Sequence, residues 1–258
     1  MSGEVALDVR DLHISFGGVK AVDGCSFEVP AATAVGLIGP NGAGKSTAID
    51  LISGFQPPDA GQVHFHGTPL IGKSPHVISQ LGLVRTFQSP REWGSLTVMD
   101  NVMLGLKAFD RERASLALFG LGKVKKQEDR DRVRVRELLD SFNLTAVKNL
   151  PASRLSGGQK RLVEFARIAA AAPRFVILDE PMGGVNPVLG ERIGAAIKEL
   201  VANGSTVMVV EHNLAFIDAV CDSVVVMAQG RVIAQGPYSS LRDNPEVVSA
   251  YLGEMDNV

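Results

Sequence analysis

Residues 34–47 read Ala-Val-Gly-Leu-Ile-Gly-Pro-Asn-Gly-Ala-Gly-Lys-Ser-Thr. The apolar run before Gly39 predicts a buried strand, and the residues from Gly39 to Ser46 match the pattern Gly-x-x-x-x-Gly-Lys-Ser. Residues 47–53 then have the apolar spacing of a helix. A glycine-rich loop in this position lets successive backbone N–H groups converge on a phosphate. The sequence therefore predicts a site for a nucleoside triphosphate.

Two side chains of this loop have predicted roles. Lys45 is expected to reach the β- and γ-phosphates, and the Ser46 hydroxyl is expected to ligate Mg²⁺. A glycine-rich turn with an exposed lysine is the plain alternative, but the flanking strand and helix supply the context that the motif requires. The predicted nucleotide-binding residues of the loop are Gly39, Pro40, Asn41, Gly42, Ala43, Gly44, Lys45, Ser46 and Thr47.

A second pattern joins a buried strand to two acidic residues. Residues 175–178 read Phe-Val-Ile-Leu, and Asp179 and Glu180 follow directly. Because ligands of parallel sheets lie at the carboxyl ends of the strands, both acids are expected to face the phosphate loop. Consecutive side chains of an extended chain point to opposite sides, which allows separate roles. We expect Asp179 to hold Mg²⁺ or its water shell, and Glu180 to orient and deprotonate the water that attacks the γ-phosphate.

A second glycine-rich loop precedes a long helical pattern. Residues 155–159 read Leu-Ser-Gly-Gly-Gln, and the helical pattern continues to Ala172. The N-terminus of such a helix is another anion site, yet only one strand of the chain carries the Asp-Glu pair. A two-fold dimer would explain both features. Each Gly-Lys-Ser loop would then meet the glycine-rich helix end of the other subunit, with two ATP molecules between them.

Composition bounds the class of protein. With 258 residues, 45% of them hydrophobic, the chain can bury a sizeable core. The 26 basic and 28 acidic residues give a net charge of −2, which does not indicate a nucleic-acid partner. Cys25 and Cys221 lie far apart in the sequence, which is typical of a reducing compartment. Neither a secretory signal nor a membrane-spanning stretch is apparent, so we expect a cytoplasmic protein.

Strand and helix patterns divide the chain into three regions. Residues 5–38 alternate in the manner of short strands. Residues 89–160 indicate a helical subdomain. Its charge run over residues 123–136 is interpreted as a solvated helix face, with an anion-binding patch as the alternative. From residue 175 onward strand and helix patterns alternate, which is typical of a mostly parallel, doubly wound sheet.

With these motifs in this order, the chain resembles the ATP-binding subunits of ABC transporters over nearly its whole length, and residues 155–159 match that family's signature. The resemblance implies an α/β P-loop NTPase fold with a mostly parallel core sheet, an N-terminal antiparallel β subdomain and a helical subdomain. Residues 1–258 would form a single ABC ATPase domain. Residues 1–88 and 161–258 would be its catalytic core, and residues 89–160 its helical signature subdomain. ATP hydrolysis would be its activity, with ATP and Mg²⁺ as cofactors.

The resemblance also assigns roles to residues outside the first two motifs. Phe16 matches the aromatic residue that stacks on adenine, with Val22 beside it. Gln88 matches the Q-loop glutamine, which contacts Mg²⁺ and water and links the site to the membrane subunit. His212 matches the switch histidine, which contacts the γ-phosphate. The catalytic residues would then be Glu180, His212 and Lys45. The nucleotide would also be bound by the signature residues Ser156, Gly157, Gly158 and Gln159.

Three short segments are similar to the corresponding segments of the ABC subfamily that imports branched-chain amino acids and related hydrophobic amino acids, amides or urea. They are Val-Arg-Thr-Phe-Gln over residues 84–88, Gly-Gly-Val-Asn-Pro over residues 183–187, and Ala-Tyr-Leu-Gly over residues 250–253. Two positions depart from the wider family. Asn186 stands where many ABC proteins have Asp, and Met182 occupies a position where the residue is usually small. Both departures concern the dimer interface.

The resemblance implies three kinds of partner: a second ATPase subunit in a homodimer or heterodimer, membrane permease subunits, and indirectly a periplasmic or lipid-anchored binding protein. The permease would contact the segment from Gln88 to Trp93 and hold the chain on the inner face of the cell membrane; Trp93 packed inside the helical subdomain is the alternative. A lipopolysaccharide-type exporter subunit, a soluble ABC ATPase acting on DNA or ribosomes, and a P-loop small-molecule kinase are the other function classes. The kinase leaves residues 155–159 unexplained.

Overall fold

The computed structural model describes residues 4–86, 93–107 and 121–255. The chain forms two compact units. The first, called the sheet unit here, comprises Met1–Gln88, Arg174–Gly184 and Ile197–Val258. The second, the helical unit, comprises Ser89–Pro173 and Val185–Ala196.

An antiparallel sheet begins the sheet unit. Its strands are β1 (Val5–Phe16), β2 (Val19–Pro30), β4 (Ala60–Phe65) and β5 (Thr68–Pro69), in the order β2-β1-β4-β5. The short strands expected near the N-terminus are two long ones, because β1 continues through an irregularity between Val9 and Leu12. There Asp11 has a φ of 48°, and its backbone N–H donates to the Ser26 hydroxyl at 2.8 Å. A bulge of this kind lets the strand bend without ending.

A six-stranded sheet forms the centre of the same unit. It contains β3 (Ala34–Ile38), β6 (Leu83–Arg85), β7 (Phe175–Asp179), β8 (Thr206–Val210), β9 (Ser223–Ala228) and β10 (Arg231–Gly236), in the order β10-β9-β3-β8-β7-β6. The pairs from β9 to β6 are parallel, and only β10 runs antiparallel at one edge. All residues of β3, β7 and β8 are buried, as expected for strands covered on both faces. The predicted mostly parallel α/β fold is confirmed.

In the described part of the chain, five helices lie wholly within the sheet unit. They are α1 (Lys45–Ile52), α2 (Pro75–Gln80), α7 (Leu214–Val220), α8 (Tyr238–Leu241) and α9 (Pro245–Met255). The short helix α2 begins where Ser74 accepts a hydrogen bond from the Val77 N–H and Pro75 occupies the first helical position. Both features favour a helix start. Among the described residues, no helix is both long enough and apolar enough to cross a lipid bilayer.

The helical unit contains α3 (Val98–Lys107), α4 (Leu121–Ser141), two 3₁₀ turns (Thr145–Val147 and Ala152–Arg154), α5 (Gly157–Ala171) and the first part of α6 (Pro187–Ala202). Helices α3 and α5 approach closely, since a methyl group at Gly105 would lie 2.3 Å from the Arg167 carbonyl oxygen. In the C-terminal half of α4 the buried residues are Asp131, Val135 and Leu139, spaced four apart, and most of their neighbours are exposed. The described part of the charge run, residues 128–136, therefore lies mostly on a solvated helix face, as interpreted from the sequence.

The boundaries of the helical unit differ from those expected from the sequence. The sequence-based division ended the helical subdomain at residue 160 and returned residues 161–258 to the catalytic core. In the structure α5 is continuous from Gly157 to Ala171 and belongs entirely to the helical unit, as does the segment Val185–Ala196. The physical reason is that α5 packs along α3, so a boundary within its first turn would divide one helix.

Candidate nucleotide-binding site

Three adjacent parallel strands end at the same edge of the central sheet. Strand β3 leads into the loop that begins at Gly39, β8 leads into Glu211 and His212, and β7 ends at Asp179 with Glu180 next in sequence. The strands lie in the order β3-β8-β7. Because they are parallel, their carboxyl ends converge, and ligands of such sheets bind there. The sheet therefore brings together the phosphate loop, the acidic pair and the histidine that the sequence singled out.

The phosphate loop is tightly packed where its backbone requires glycine. Gly39 has a φ of +146°, and a methyl group there would lie 2.0 Å from the Met227 carbonyl oxygen. Gly44 has a φ of +94°, and a methyl group there would lie 2.3 Å from the Ala21 carbonyl oxygen. Any side chain at either position would push the loop out of this conformation. The loop is thus held in shape by β9 on one side and by the β1–β2 hairpin on the other.

Lys45 and the start of α1 suit a phosphate and a magnesium ion. The Lys45 ammonium donates to the carbonyl oxygens of Gly39 at 2.7 Å and Pro40 at 2.8 Å, so it lies across the loop. Gly44, the N-cap of α1, has no side chain to bind the first amides of the helix, and the N-terminus of α1 adjoins the loop. The Ser46 hydroxyl is on an exposed residue in the first turn. Together with the oxygens of Asp179 it supplies the hard oxygen donors that Mg²⁺ prefers.

A largely buried arginine connects the acidic strand end to α1. Arg85, the last residue of β6, donates from Nη2 to the Asp179 carboxylate at 3.0 Å. Its Nη1 contacts the carboxylate of Asp50 on α1. The Thr86 hydroxyl accepts a hydrogen bond from the Asp179 N–H at 3.1 Å. Asp179 is therefore oriented from both its backbone and its side chain, and Arg85 places it beside the helix that begins at Lys45.

The backbone of Glu180 is unusual for its residue type. Its φ is 48°, in the left-handed region that a side chain with a Cβ adopts at a cost of about 1–3 kcal/mol. The Glu180 N–H donates to the Val210 carbonyl oxygen at 2.9 Å, which continues the pairing of β7 with β8. The chain turns sharply here, so the Glu180 side chain takes a direction different from that of Asp179. Strained conformations of this kind are typical of functional sites.

The hairpin between β1 and β2 provides the apolar surface expected for a base. Phe16 is 50% exposed, and its cross-strand partner Val19 is 70% exposed. Val22, expected beside the adenine, is instead 1% exposed and belongs to the core, where it pairs with Ile14. The physical reason is that side chains alternate between the two faces of a strand, and the pairing register of β1 with β2 shifts between Ile14 and Ser15. Val22 therefore lies on the core face with Ile14, whereas Val19, which no sequence motif indicated, pairs with Phe16.

Backbone hydrogen bonds join this hairpin to the phosphate loop. The Asp23 N–H donates to the Gly230 carbonyl oxygen at 2.9 Å, and the Gly230 N–H donates to the Ala43 carbonyl oxygen at 3.0 Å. The Asp23 carboxylate accepts hydrogen bonds from Arg231 and Lys20, which lower its pKa to about 2. The carboxylate therefore stays charged at neutral pH. The turn that contains Gly230 thus fixes the hairpin against the loop.

The signature loop forms a capped helix start in the helical unit. The Ser156 hydroxyl accepts from the Gln159 N–H at 3.3 Å, and the Gln159 side-chain oxygen accepts from the Ser156 N–H at 3.0 Å. This capping box stabilises the first turn of α5. Gly157 faces open space, whereas a methyl group at Gly158 would lie 2.8 Å from a methyl carbon of Leu189. Gly158 therefore serves packing within its own unit, and Gly157 leaves the helix end accessible.

Asn186 has a structural role that explains one departure from the wider family. Its side-chain oxygen accepts a hydrogen bond from the Leu189 N–H at 2.9 Å, in the first turn of α6. Asn and Asp cap helix N-termini about equally well. The position thus retains its capping function with either residue.

Gln88, Arg91 and the other residues between 87 and 92 lie outside the described residues. Trp93, the end of the proposed coupling segment, is described and is 54% exposed. Its backbone is held on both sides by Asn101, which accepts from the Trp93 N–H at 2.9 Å and donates to the Trp93 carbonyl oxygen at 3.1 Å. The Arg167 guanidinium lies 5.3 Å from the centre of the ring. The ring is thus presented at the surface by a fixed backbone.

Comparison with known proteins identifies the family. A family model described as ABC transporter matches residues 22–183. The chain belongs to the ABC transporter family. A second model, described as branched-chain amino acid ATP-binding cassette transporter, matches residues 231–257 of this ABC protein.

Relatives and solved structures agree with this assignment. The ABC protein is 36% identical over 251 residues to a probable branched-chain amino acid transport ATP-binding protein, LivG, of Archaeoglobus fulgidus, covering 97% of this chain and 96% of the relative. It is 34% identical over 249 residues to the high-affinity branched-chain amino acid transport ATP-binding protein BraF of Pseudomonas aeruginosa, covering 96% and 98%. A nucleotide-free ATP-binding cassette from an ABC transporter superimposes with a TM-score of 0.79 at 32% identity, covering 96% of this chain and 98% of that one. An ADP-bound cassette superimposes with the same TM-score of 0.79 at 31% identity, covering 96% and 99%.

Proposed function

We propose that this chain is the ATP-hydrolysing subunit of an importer for branched-chain amino acids or closely related amides or urea. The observation that carries the proposal is the convergence of the phosphate loop, the acidic pair and His212 at the ends of three adjacent strands. The names of its relatives support the substrate class. ATP hydrolysis in the cytoplasm, on the inner face of the membrane, would then drive uptake.

The chain's own groups supply the steps of hydrolysis. Lys45 and the amides at the start of α1 bind the β- and γ-phosphates and neutralise their charge. Glu180 accepts the proton of the attacking water, and His212 contacts the γ-phosphate. Mg²⁺, held by Ser46, Asp179 and Gln88, would stabilise the charge that develops on the phosphate oxygens. Phe16 and Val19 present an apolar platform for the adenine, in which stacking is worth about 1–3 kcal/mol.

The signature loop completes the site in a dimer. Within each chain the phosphate loop and the residues from Ser156 to Gln159 belong to different compact units. The exposed helix end at Gly157 offers backbone amides to the γ-phosphate of a nucleotide held by a second subunit. We therefore propose a two-fold dimer with two composite sites, formed with a second copy or with a related ATPase subunit.

A reconstituted uptake assay tests the function and its direction. Proteoliposomes would contain this chain, its permease subunits and its binding protein, with ATP on the side of the ATPase. We expect ATP-dependent accumulation of leucine, isoleucine or valine, or of short amides or urea, and no accumulation with Lys45→Ala. ATP-driven loss of a preloaded solute would instead establish an exporter. Absence of any transport with full ATPase activity would contradict the proposed substrate class.

The surface around Trp93 is proposed to couple ATP hydrolysis to the permease. Its exposed ring on a fixed backbone, beside the Arg167 guanidinium, has the amphipathic character of an interface anchor. The variant Arg91→Ala with Trp93→Ala should keep the ATPase activity and melting temperature of the isolated subunit. In the assembled transporter it should reduce uptake by about tenfold or more, as expected when a hot-spot residue is truncated.

A matched control separates this role from a general surface effect. Val133 is a similarly exposed apolar residue of the helical unit, on α4, and Val133→Ala should leave both uptake and ATPase activity unchanged. If the double variant at positions 91 and 93 loses basal ATPase to the same extent as transport, or melts well below the wild type, these residues are structural. Uptake equal to the wild type would likewise contradict coupling through this surface.

A further inference from the structure

A buried carboxylate lies between two loops of the candidate site. Glu211 follows the last residue of β8 and is 1% exposed. Its Oε1 accepts a hydrogen bond from the Met182 N–H at 2.8 Å. Its Oε2 accepts from the His212 N–H at 3.0 Å and from the Asn213 N–H at 3.2 Å. One side chain thus binds the segment that follows the acidic pair and the segment that carries the switch histidine.

The chemistry of this position favours a carboxylate. Removing a carboxylate from water is costly unless hydrogen bonds replace its hydration, and here three backbone amides do so. Hydrogen bonds to an ionised acceptor are about twice as strong as neutral ones. The donors come from two different loops, and each loop is bound by a different oxygen of the carboxylate. In this geometry a side chain with only one acceptor oxygen would leave the donor of one loop without its acceptor.

The two loops that Glu211 joins contain the proposed chemical groups. Met182 is two residues after Glu180, within a turn in which the Gly183 N–H donates to the Glu180 carbonyl oxygen at 3.1 Å. On the other side, the Asn213 side chain caps α7 by accepting from the Phe216 N–H at 3.1 Å. The imidazole Nδ1 of His212 lies 3.7 Å from the Glu211 carboxylate. The carboxylate is therefore the direct link between the turn of Glu180 and the start of α7.

We propose that Glu211 is a positioning residue for ATP hydrolysis. It holds the backbone of the Glu180 turn and the backbone of His212 at a fixed separation. Glu180 then stays in position for the attacking water while His212 contacts the γ-phosphate of the same nucleotide. This inference rests on the roles proposed for Glu180 and His212. Misplacing a catalytic group by about 1 Å can cost about 10²-fold in rate, so loss of this link should lower turnover far more than nucleotide affinity.

The test compares Glu211→Gln with a control of matched instability. Gln has the same shape but replaces one acceptor oxygen by an NH₂ group, which would face a backbone N–H. We expect kcat to fall by about 10- to 100-fold, with KM and the binding constant of a fluorescent ATP analogue within about threefold of the wild type. Val209→Ala, a buried truncation on β8, should lower the melting temperature without a comparable loss of kcat.

Hydrogen exchange gives a readout that does not depend on catalysis. In Glu211→Gln, backbone amides of residues 180–184 and 211–214 should both exchange faster, whereas Val209→Ala should not affect these two segments selectively. Glu211→Asp keeps both oxygens and should recover part of the lost kcat. If the Gln variant does not fold, the Asp variant carries the test, with faster exchange in both segments and a lower kcat at unchanged KM.

Several outcomes would overturn the inference. They are a kcat loss no larger than that of Val209→Ala at the same melting temperature, a rise in KM that accounts for the whole effect, and faster exchange in only one of the two segments. The roles proposed for Glu180 and His212 are tested independently of Glu211. If Glu180→Gln and His212→Ala retain normal kcat, those two assignments are wrong whatever the exchange data show. Faster exchange in both segments with inactive Glu180→Gln and His212→Ala supports the positioning role.

Discussion

Glu180→Gln is expected to slow ATP hydrolysis by about 10²-fold or more while nucleotide binding is preserved. The amide has the shape of the carboxyl group but cannot accept the proton of the attacking water. The left-handed backbone at residue 180 costs Gln about as much as Glu, so the turn after β7 should keep its geometry. The measurement is steady-state phosphate release together with the dissociation constant of ATP.

A second Glu-to-Gln change provides the control. Glu199 lies on α6 and is exposed, so Glu199→Gln removes the same charge away from the site and should leave turnover unchanged. A trapped, ATP-bound dimer of Glu180→Gln in gel filtration would further support a defect in hydrolysis rather than in binding. Near-normal turnover of Glu180→Gln would rule out its role as the base.

The site was largely predictable because its chemistry resides in short, local patterns. The strands before the phosphate loop and before the acidic pair were expected from uninterrupted apolar runs, and the alternation expected from residue 175 onward is present as β7, α6, β8, α7 and β9. Because such strands are buried on both faces, they appear in the sequence as uninterrupted apolar runs and can be predicted directly. The convergence of Gly39, Asp179 and His212 then follows from parallel pairing alone.

What the sequence did not predict depends on contacts between distant segments. Val22 was expected at the adenine, but a register shift in β1–β2 buries it and presents Val19 instead. Arg85 was noted only as part of a motif, and its position between Asp50 and Asp179 requires three separate elements to be in place. Glu211 had one available signal, an acid directly after a buried strand. Its three backbone donors become apparent only in the folded chain.

The composite site predicts that two inactive variants restore each other when mixed. Lys45→Ala removes the ammonium from the phosphate loop, and Gly157→Asp places a negative charge at the helix end that is proposed to face a phosphate. Each variant alone should be nearly inactive. In a mixed homodimer, one site combines both changes and the other has an intact loop with an intact Gly157 end. An equal mixture should therefore recover up to about a quarter of wild-type activity, since about half of the dimers are mixed and each has one intact site.

The structure makes Gly157 the right residue for this experiment. A side chain at Gly157 meets open space within its own chain, and an acidic residue in the first turn of a helix favours folding. Gly158→Asp would instead collide with Leu189 and disturb the helical unit itself. Gly157→Asp should therefore keep the melting temperature and the ATP affinity of the monomer, whereas Lys45→Ala should lose ATP affinity. This difference in the ATP affinity of the monomers tests the composite site even if the two sites of a dimer are obligatorily coupled and mixing restores no activity.

The outcome also identifies the second subunit. Recovery on mixing requires that copies of this chain pair with each other and share their sites. No recovery, with activity restored when a related ATPase subunit is added to Gly157→Asp, indicates a heterodimer in which that partner supplies the intact helix end. If Gly157→Asp alone lowers ATP affinity in the monomer, the residue belongs to the site of its own chain. The two-fold arrangement would then be wrong, because the phosphate loop would be completed without a second subunit.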